Sequence, residues 1–219
     1  VRSGGTLDFG MSATPGTWET GADDVPPSYT DGADARNSVG TTPDGQGNLG
    51  SMDFSDWSLS RESLARAGAS PGARIPLDGT GITFTWPDVE PGKPDNWLPH
   101  GQRIDLEDAP ATAISFLGLA TNGPAAGTAT VEYTDGSAQQ IAIEFTDWAA
   151  AASAGNTELI AVTGRNNANG STGGGTFRVF ATRPAALDPG KVVDAVILPE
   201  GSNQGAMHIF DVATSEAGR

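Results

Sequence analysis

Over residues 5–11 the apolar side chains Leu7, Phe9 and Met11 alternate with Thr6, Asp8 and Gly10, the period of two that marks a half-buried strand. The pattern then stops. Residues 12–50 are rich in Gly, Pro, Asp, Ser and Thr, with Trp18 and Tyr29 as their aromatics, which is too little apolar surface to build a core. A connection of that length reads as a linker or as a segment wrapping a neighbour, and it puts a domain boundary near 32–50.

Beyond the boundary the signals are dense. Residues 61–68 carry a two-turn helical pattern, with Ser60 placed to cap its free N–H groups and Gly68 to end it. The remainder reads as strands over 82–86, 103–106, 113–120, 128–133, 139–145, 158–162, 176–181, 192–198 and 207–212, separated by turns at short intervals. Val131 and Tyr133 before Asp135-Gly136, and Ile141, Ile143 and Phe145 after it, alternate with polar residues, so 128–146 is expected to fold as a hairpin with positive φ at the turn. With no long helix and no internal repeat, the expected architecture is all-β: an antiparallel jelly-roll sandwich over 38–219, preceded by an N-terminal strand and a long wrapping loop in 1–37.

Charge narrows the function. The 219 residues hold 12 Lys+Arg against 27 Asp+Glu, a net charge of -15, which excludes a phosphate-backbone binder and disfavours acidic membrane surfaces. With no Cys there is neither a disulfide framework nor a thiolate metal site. No stretch reaches the roughly 18 apolar residues needed to cross a bilayer. The opening Val1-Arg2-Ser3-Gly4-Gly5 lacks a basic region followed by an apolar core, so the chain reads as a soluble mature piece; an extracellular location is a separate expectation.

Candidate chemistry is sparse. His100 lies in a loop and His208 in a strand pattern, where it reads as structural; no nucleophile elbow, zinc helix or phosphate loop accompanies them. Gly170-Ser171-Thr172-Gly173-Gly174-Gly175 lacks the Lys of a phosphate loop and precedes a strand, so it reads as a turn. Asp44-Gly45-Gln46-Gly47-Asn48 begins like a calcium loop, but Ser55 stands where a bidentate Glu is required. A structural calcium held by loop carbonyls and Asp53 or Asp56 stays open; no other cofactor is expected.

The aromatics are more informative. Trp57 follows Asp56, and Trp97 sits in Pro94-Asp95-Asn96-Trp97-Leu98-Pro99-His100. A flat ring beside Asp, Asn or His suits a sugar, whose apolar face stacks on indole while amides and carboxylates take its hydroxyls. The same pattern also fits a hydrophobic lid over one end of the sandwich. Trp86 and Trp148, at strand ends, read as core. The candidate ligand residues are Asp95, Asn96, Trp97, His100 and Trp57, with Arg165 and Asn166 next for their forked and amide donors.

Two stretches carry a resemblance. Residues 4–15, Trp18 and Asp23-Asp24-Val25-Pro26-Pro27-Ser28 resemble the C-terminal end of the catalytic region of glycoside hydrolase family 92, the calcium-dependent exo-α-mannosidases. Residues 38–214 resemble an accessory β-sandwich of secreted actinobacterial glycosidases, through Met52-Asp53-Phe54, Phe84-Thr85-Trp86-Pro87-Asp88-Val89, Pro94-Asp95-Asn96, Phe116-Leu117-Gly118, Thr121-Asn122-Gly123, Tyr133-Thr134-Asp135-Gly136, Thr146-Asp147-Trp148 and Leu187-Asp188-Pro189-Gly190-Lys191. The resemblance implies a galactose-binding-like, non-catalytic module that binds a mannose-containing glycan beside an upstream catalytic region. The family's acid, base and calcium ligands have no matching positions here. A structural or protein-contact module, and a glycosidase in its own right, are the other expectations.

Overall fold

The structure is a computed structural model that describes residues 35–153 and 155–216. The strand expected over 5–11 lies outside these residues. The chain is mostly β, and its order is β1 (Thr41–Thr42), β2 (Trp57–Ser60), α1 (Arg61–Arg66), β3 (Arg74–Leu77), β4 (Ile82–Thr85), β5 (Arg103–Tyr133), β6 (Ala138–Phe145), β7 (Asn156–Asn167), β8 (Thr172–Thr182), β9 (Ala185–Ala186), β10 (Val192–Ile197) and β11 (Asn203–Glu216). A 9-stranded sheet runs β1-β2-β7-β8-β5-β10, with β6, β9 and β11 also paired to β5, and β3-β4 form a second, two-stranded sheet. The pairing is not wholly antiparallel: β1 runs parallel to β2, matching Thr41 with Leu59 and Thr42 with Ser60.

Strand β5 organises the fold. Three separate strands are expected over 103–106, 113–120 and 128–133; they form one continuous β5, whose ladder passes between the last two through Asn122 and Gly123, both left-handed with φ of 60° and 109°. Asp147 Oδ2 accepts the Gly123 N–H at 2.8 Å and holds that bend. The alternation read in 139–145 buries Ile141, Ile143 and Phe145 against the core while their neighbours face solvent. Phe84, Phe116, Phe145, Phe180 and Phe210 are fully buried, each contributing roughly 1.5–3 kcal/mol by the usual area scaling. Trp86 stacks on Phe210 with centroids 4.7 Å apart, and Trp148 packs on Phe177 at the same separation, so both indoles are core as expected.

Local signals held at two ends. Ser60 caps α1, its Oγ accepting the Ser63 N–H at 3.0 Å. The hairpin turns at Asp135-Gly136, where Gly136 has φ of 80° and its N–H reaches Tyr133 O at 2.9 Å; Asp135 keeps negative φ, so the loop is a turn closed by one left-handed residue rather than a two-residue turn with both positive. The wrapping segment is part of the sandwich as far as it is described. Ala35 joins the core, and Asn37 and Ser38 donate backbone N–H groups to Asn96 O, both at 3.2 Å.

Candidate functional site

The residues expected to bind ligand separate into two places. Asp95, Asn96 and Trp97 are buried, so they form the lid and not an exposed sugar platform. Trp97 pairs with Ile209 through backbone bonds in both directions, 2.8 and 3.0 Å, and the Arg36 guanidinium lies 4.9 Å over its ring. A ring covered on a face and tied into β11 offers nothing for a pyranose to stack on. His100 is exposed just beyond, its backbone N–H bound to Gln102 Oε1 at 2.6 Å, while its expected partners face inward.

Asp95 and Asn96 are spent on the fold. Asp95 accepts Gly40 N–H at 2.8 Å, Thr41 N–H at 2.9 Å, Thr41 Oγ at 2.6 Å and Asn96 Nδ2 at 2.8 Å. Burial pushes its carboxyl up, and these donors pull it back toward the charged form. Asn96 also donates to Ser38 O at 3.1 Å, which fixes its amide so that Oδ1 faces His208 Nδ1 at 2.9 Å. His208 Nε2 lies 2.9 Å from Met52 O. Burial pulls the imidazole down to about 4, against the bond to Met52, so the ring is neutral near neutral pH and its single N–H serves one of two acceptors at a time. The structural reading of His208 holds.

The second place is open. Helix α1 lies across β7, with Ser63 Oγ donating to Thr163 O at 3.3 Å, and the β7-β8 ladder passes beside it, matching Arg165 with Gly173 and Asn166 with Thr172. A register shift between Thr163 and Arg165 bulges β7 at Gly164 and re-aims the residues that follow. Between helix and hairpin is a trough of about 310 Å³ lined by Asp44, Ser60, Ser63, Arg66, Arg165, Asn166 and Thr172 among others. A second depression of about 250 Å³ shares Ser63, Arg66 and Thr163 with it, so the surface continues along the helix.

Within the trough the roles differ. Asn166 is buried and donates through Nδ2 to Thr42 O at 3.1 Å and Asp44 Oδ1 at 3.2 Å; Asp44 Oδ1 also accepts Ser60 Oγ at 2.6 Å. These set the floor. Arg165 packs its guanidinium 4.1 Å from the Trp57 ring and 4.9 Å from Phe177, with Nη1 3.4 Å from Asp53 Oδ2 and a buried Nε that has no hydrogen-bond partner. The half-buried Trp57 fits only because position 173 is Gly: a Cβ there would lie 2.8 Å from the indole. Arg66 is exposed and bonded to Ser63 Oγ at 2.8 Å, which leaves most of its fork directed to solvent.

Trp57, Arg165 and Asn166 are therefore brought together, apart from Asp95, Asn96 and Trp97. Arg66, Ser63 and Thr172 were missed, because their proximity depends on α1 landing on β7, across a separation of 100 residues at the Ser63–Thr163 contact. The Gly-rich segment 170–175 gave a partial signal: it reads as a turn, but the turn ends by Ser171, and Thr172 to Gly175 open strand β8, where Thr172, Gly173 and Gly174 supply a wall of the trough. The trough offers donors, acceptors and hydroxyls without a nucleophile paired to a base, and its lining holds one carboxylate, Asp44, where glycoside hydrolysis requires two. Among the described residues no group of three His, Cys, Asp or Glu stands together as a metal site, and Asp53 spends its carboxylate on Ser55 N–H, Trp57 N–H and Arg165. Among them also, no helix is long and apolar enough to cross a membrane. No protein-family model and no curated protein matches the chain.

Proposed function

We propose that the chain is a non-catalytic carbohydrate-binding module of a secreted, α-mannosidase-like glycoside hydrolase, and that its glycan lies in the trough between α1 and the β7-β8 hairpin. The observation that carries this reading is the mixture of groups in that trough: an exposed guanidinium at Arg66, a carboxylate at Asp44 and the hydroxyl of Thr172, over a floor fixed by Asn166. Sugar hydroxyls both donate and accept, so they need such a mixture. An acidic ligand would instead meet a chain of net charge -15. Calorimetric titration of mannooligosaccharides tests the proposal: binding that Arg66→Ala weakens supports it, and the absence of any glycan binding removes it. The burial of Asp95, Asn96 and Trp97 favours a second reading, a structural module that braces the neighbouring catalytic region, for which the absence of glycan binding is the expected result.

A further inference from the structure

One large apolar side chain stands out in water among the described residues. Phe54 is 89% exposed. It is carried on a braced turn and not on a loose loop. Asp53 Oδ1 accepts the N–H groups of Ser55 and Trp57 at 2.9 and 3.0 Å, Ser51 Oγ donates to Asp53 O at 2.9 Å, and Met52 N–H donates to Trp57 O at 2.8 Å. The end of the β7-β8 hairpin holds the turn from outside: Asn167 Nδ2 donates to Ser55 O at 2.8 Å and Ala168 N–H to Asp56 O at 2.9 Å. Asp56 is itself left-handed, with φ of 61°, a conformation that disfavours a residue bearing a Cβ. A fixed turn holding a phenyl ring in solvent is preorganised for contact.

The surroundings indicate what it contacts. A contiguous exposed apolar patch of several hundred Å² is the mark of a protein-contact surface. Phe54 has no such patch: Ser51, Ser55, Asp56 and Asn169 around the turn are polar and exposed. A single apolar ring with hydroxyls, carboxylates and an amide beside it matches one pyranose face and its rim of hydroxyls. Location adds to this. Phe54 adjoins Asp53, whose Oδ2 lies 3.4 Å from Arg165 Nη1, and Arg165 lines the trough.

We infer that Phe54 is an aromatic stacking platform for a neutral oligosaccharide that extends out of the trough, so that the ligand is a chain of several rings and not a single terminal sugar. This rests on the carbohydrate reading of the trough. The test titrates mannotetraose and methyl α-mannoside against wild type, Phe54→Ala, Phe54→Trp and Arg66→Ala, with a melting curve for each. Mannotetraose is expected to bind wild type more tightly than the monosaccharide does. Phe54→Ala should reduce that advantage roughly tenfold, as loss of one apolar stacking contact does, at an unchanged melting temperature, and Phe54→Trp should restore it. If Phe54→Ala binds mannotetraose like wild type while Arg66→Ala does not, the platform is wrong and the trough stands. If wild type binds neither sugar, the carbohydrate reading falls and the platform with it. Concentration-dependent self-association of wild type that Phe54→Ala abolishes, without glycan binding, would make the ring a protein contact and overturn the inference.

Discussion

The two-residue strand β1 separates two polar neighbourhoods built from similar side chains. Thr41 gives its N–H and hydroxyl to Asp95, whereas Thr42, the next residue, gives its carbonyl to Asn166 and pairs its hydroxyl with Ser58 at 2.8 Å. Successive strand residues point to opposite faces, so one short element serves both. On the Thr41 side, Asp95, Asn96 and His208 are buried and matched nearly atom for atom; on the Thr42 side, Arg66 and Thr172 keep hydrogen-bonding capacity facing water. An Asp, an Asn and a Trp in sequence thus make a core clasp when every group has a protein partner. The same residue types can make a binding surface only where partners are left for a ligand.

The sharpest way to break this contrast is at Trp97. Trp97→Ala should cost about 3–5 kcal/mol, since it empties an indole-sized space under a lid that relaxes only in part. Chemical denaturation measures it, and glycan affinity of the folded variant should stay as in wild type. A stable Trp97→Ala that loses glycan binding would return the site to the 95–100 loop.

Titration should distinguish the buried neighbourhood next. Burial pulls His208 down to about 4, so its contribution to stability is full above its unfolded value near 6.5 and is lost as pH falls toward about 4. Asp211 runs the other way. Burial pushes it up to about 6, against bonds that include 2.7 Å from Thr85 N–H to its Oδ2, so its contribution is present below the ordinary carboxylate range and is lost as pH rises through about 6. The His208 and Asp211 slopes oppose each other, and the buried Asp95 adds to the Asp211 side in wild type. Asp211→Asn removes one of them and should expose a loss of up to about 3 kcal/mol on acidification, at roughly 1.4 kcal/mol per pKa unit, with Asp95, which burial also raises, cancelling part of it. Urea unfolding at a series of pH values reads this directly. A flat profile for the variant would mean that His208 is not held neutral.

How far the sequence foretold these places depends on the range of the interaction. Ser60 as a cap, Asp135-Gly136 as a turn, and Ile141, Ile143 and Phe145 as a buried face are set by neighbours within a few residues, and each appears where expected. Strands β1, β2, β3 and β9 went unseen: Thr41–Thr42 and Ala185–Ala186 are too short to show a period, in Trp57–Ser60 the residues Ser58, Leu59 and Ser60 are all buried, so apolar and polar positions do not alternate, and in Arg74–Leu77 the alternation of Ile75 and Leu77 is interrupted by Pro76, which argues against a strand. Trp97 was legible as a lid or as a platform but not as one of them, because the choice is made by Ile209 and Arg36, both far along the chain. For the trough, Arg165 and Asn166 were visible as a cluster of donors; Arg66 was not, since nothing in its own helix states which strand it will lie beside.

Asn166 tests whether the trough has a structural floor distinct from its open wall. Its amide is buried and bonded to Thr42 and Asp44, so Asn166→Ala should leave the buried Thr42 carbonyl short of a donor and cost about 1–3 kcal/mol, the usual penalty for an unsatisfied buried group. Glycan affinity should fall with it, because Asp44 loses its orientation. A thermal melt unchanged from wild type would place Asn166 on the ligand-facing side instead.

The smallest expected effect on stability is the most telling. Arg66 is exposed and its one hydrogen bond runs to Ser63 within the same helix, so Arg66→Ala should change stability by no more than about 0.5 kcal/mol, the range of ordinary surface substitutions. Alanine also favours the helix slightly, which offsets the lost bond. Nothing in the fold therefore requires a guanidinium at the point where the two depressions meet. If the residue serves a ligand, its removal should be silent in the melt and visible in the titration, the reverse of Trp97→Ala. A melting temperature that drops as far as in Asn166→Ala would show that Arg66 supports the α1-β7 contact, and the boundary between clasp and trough would then have to be redrawn.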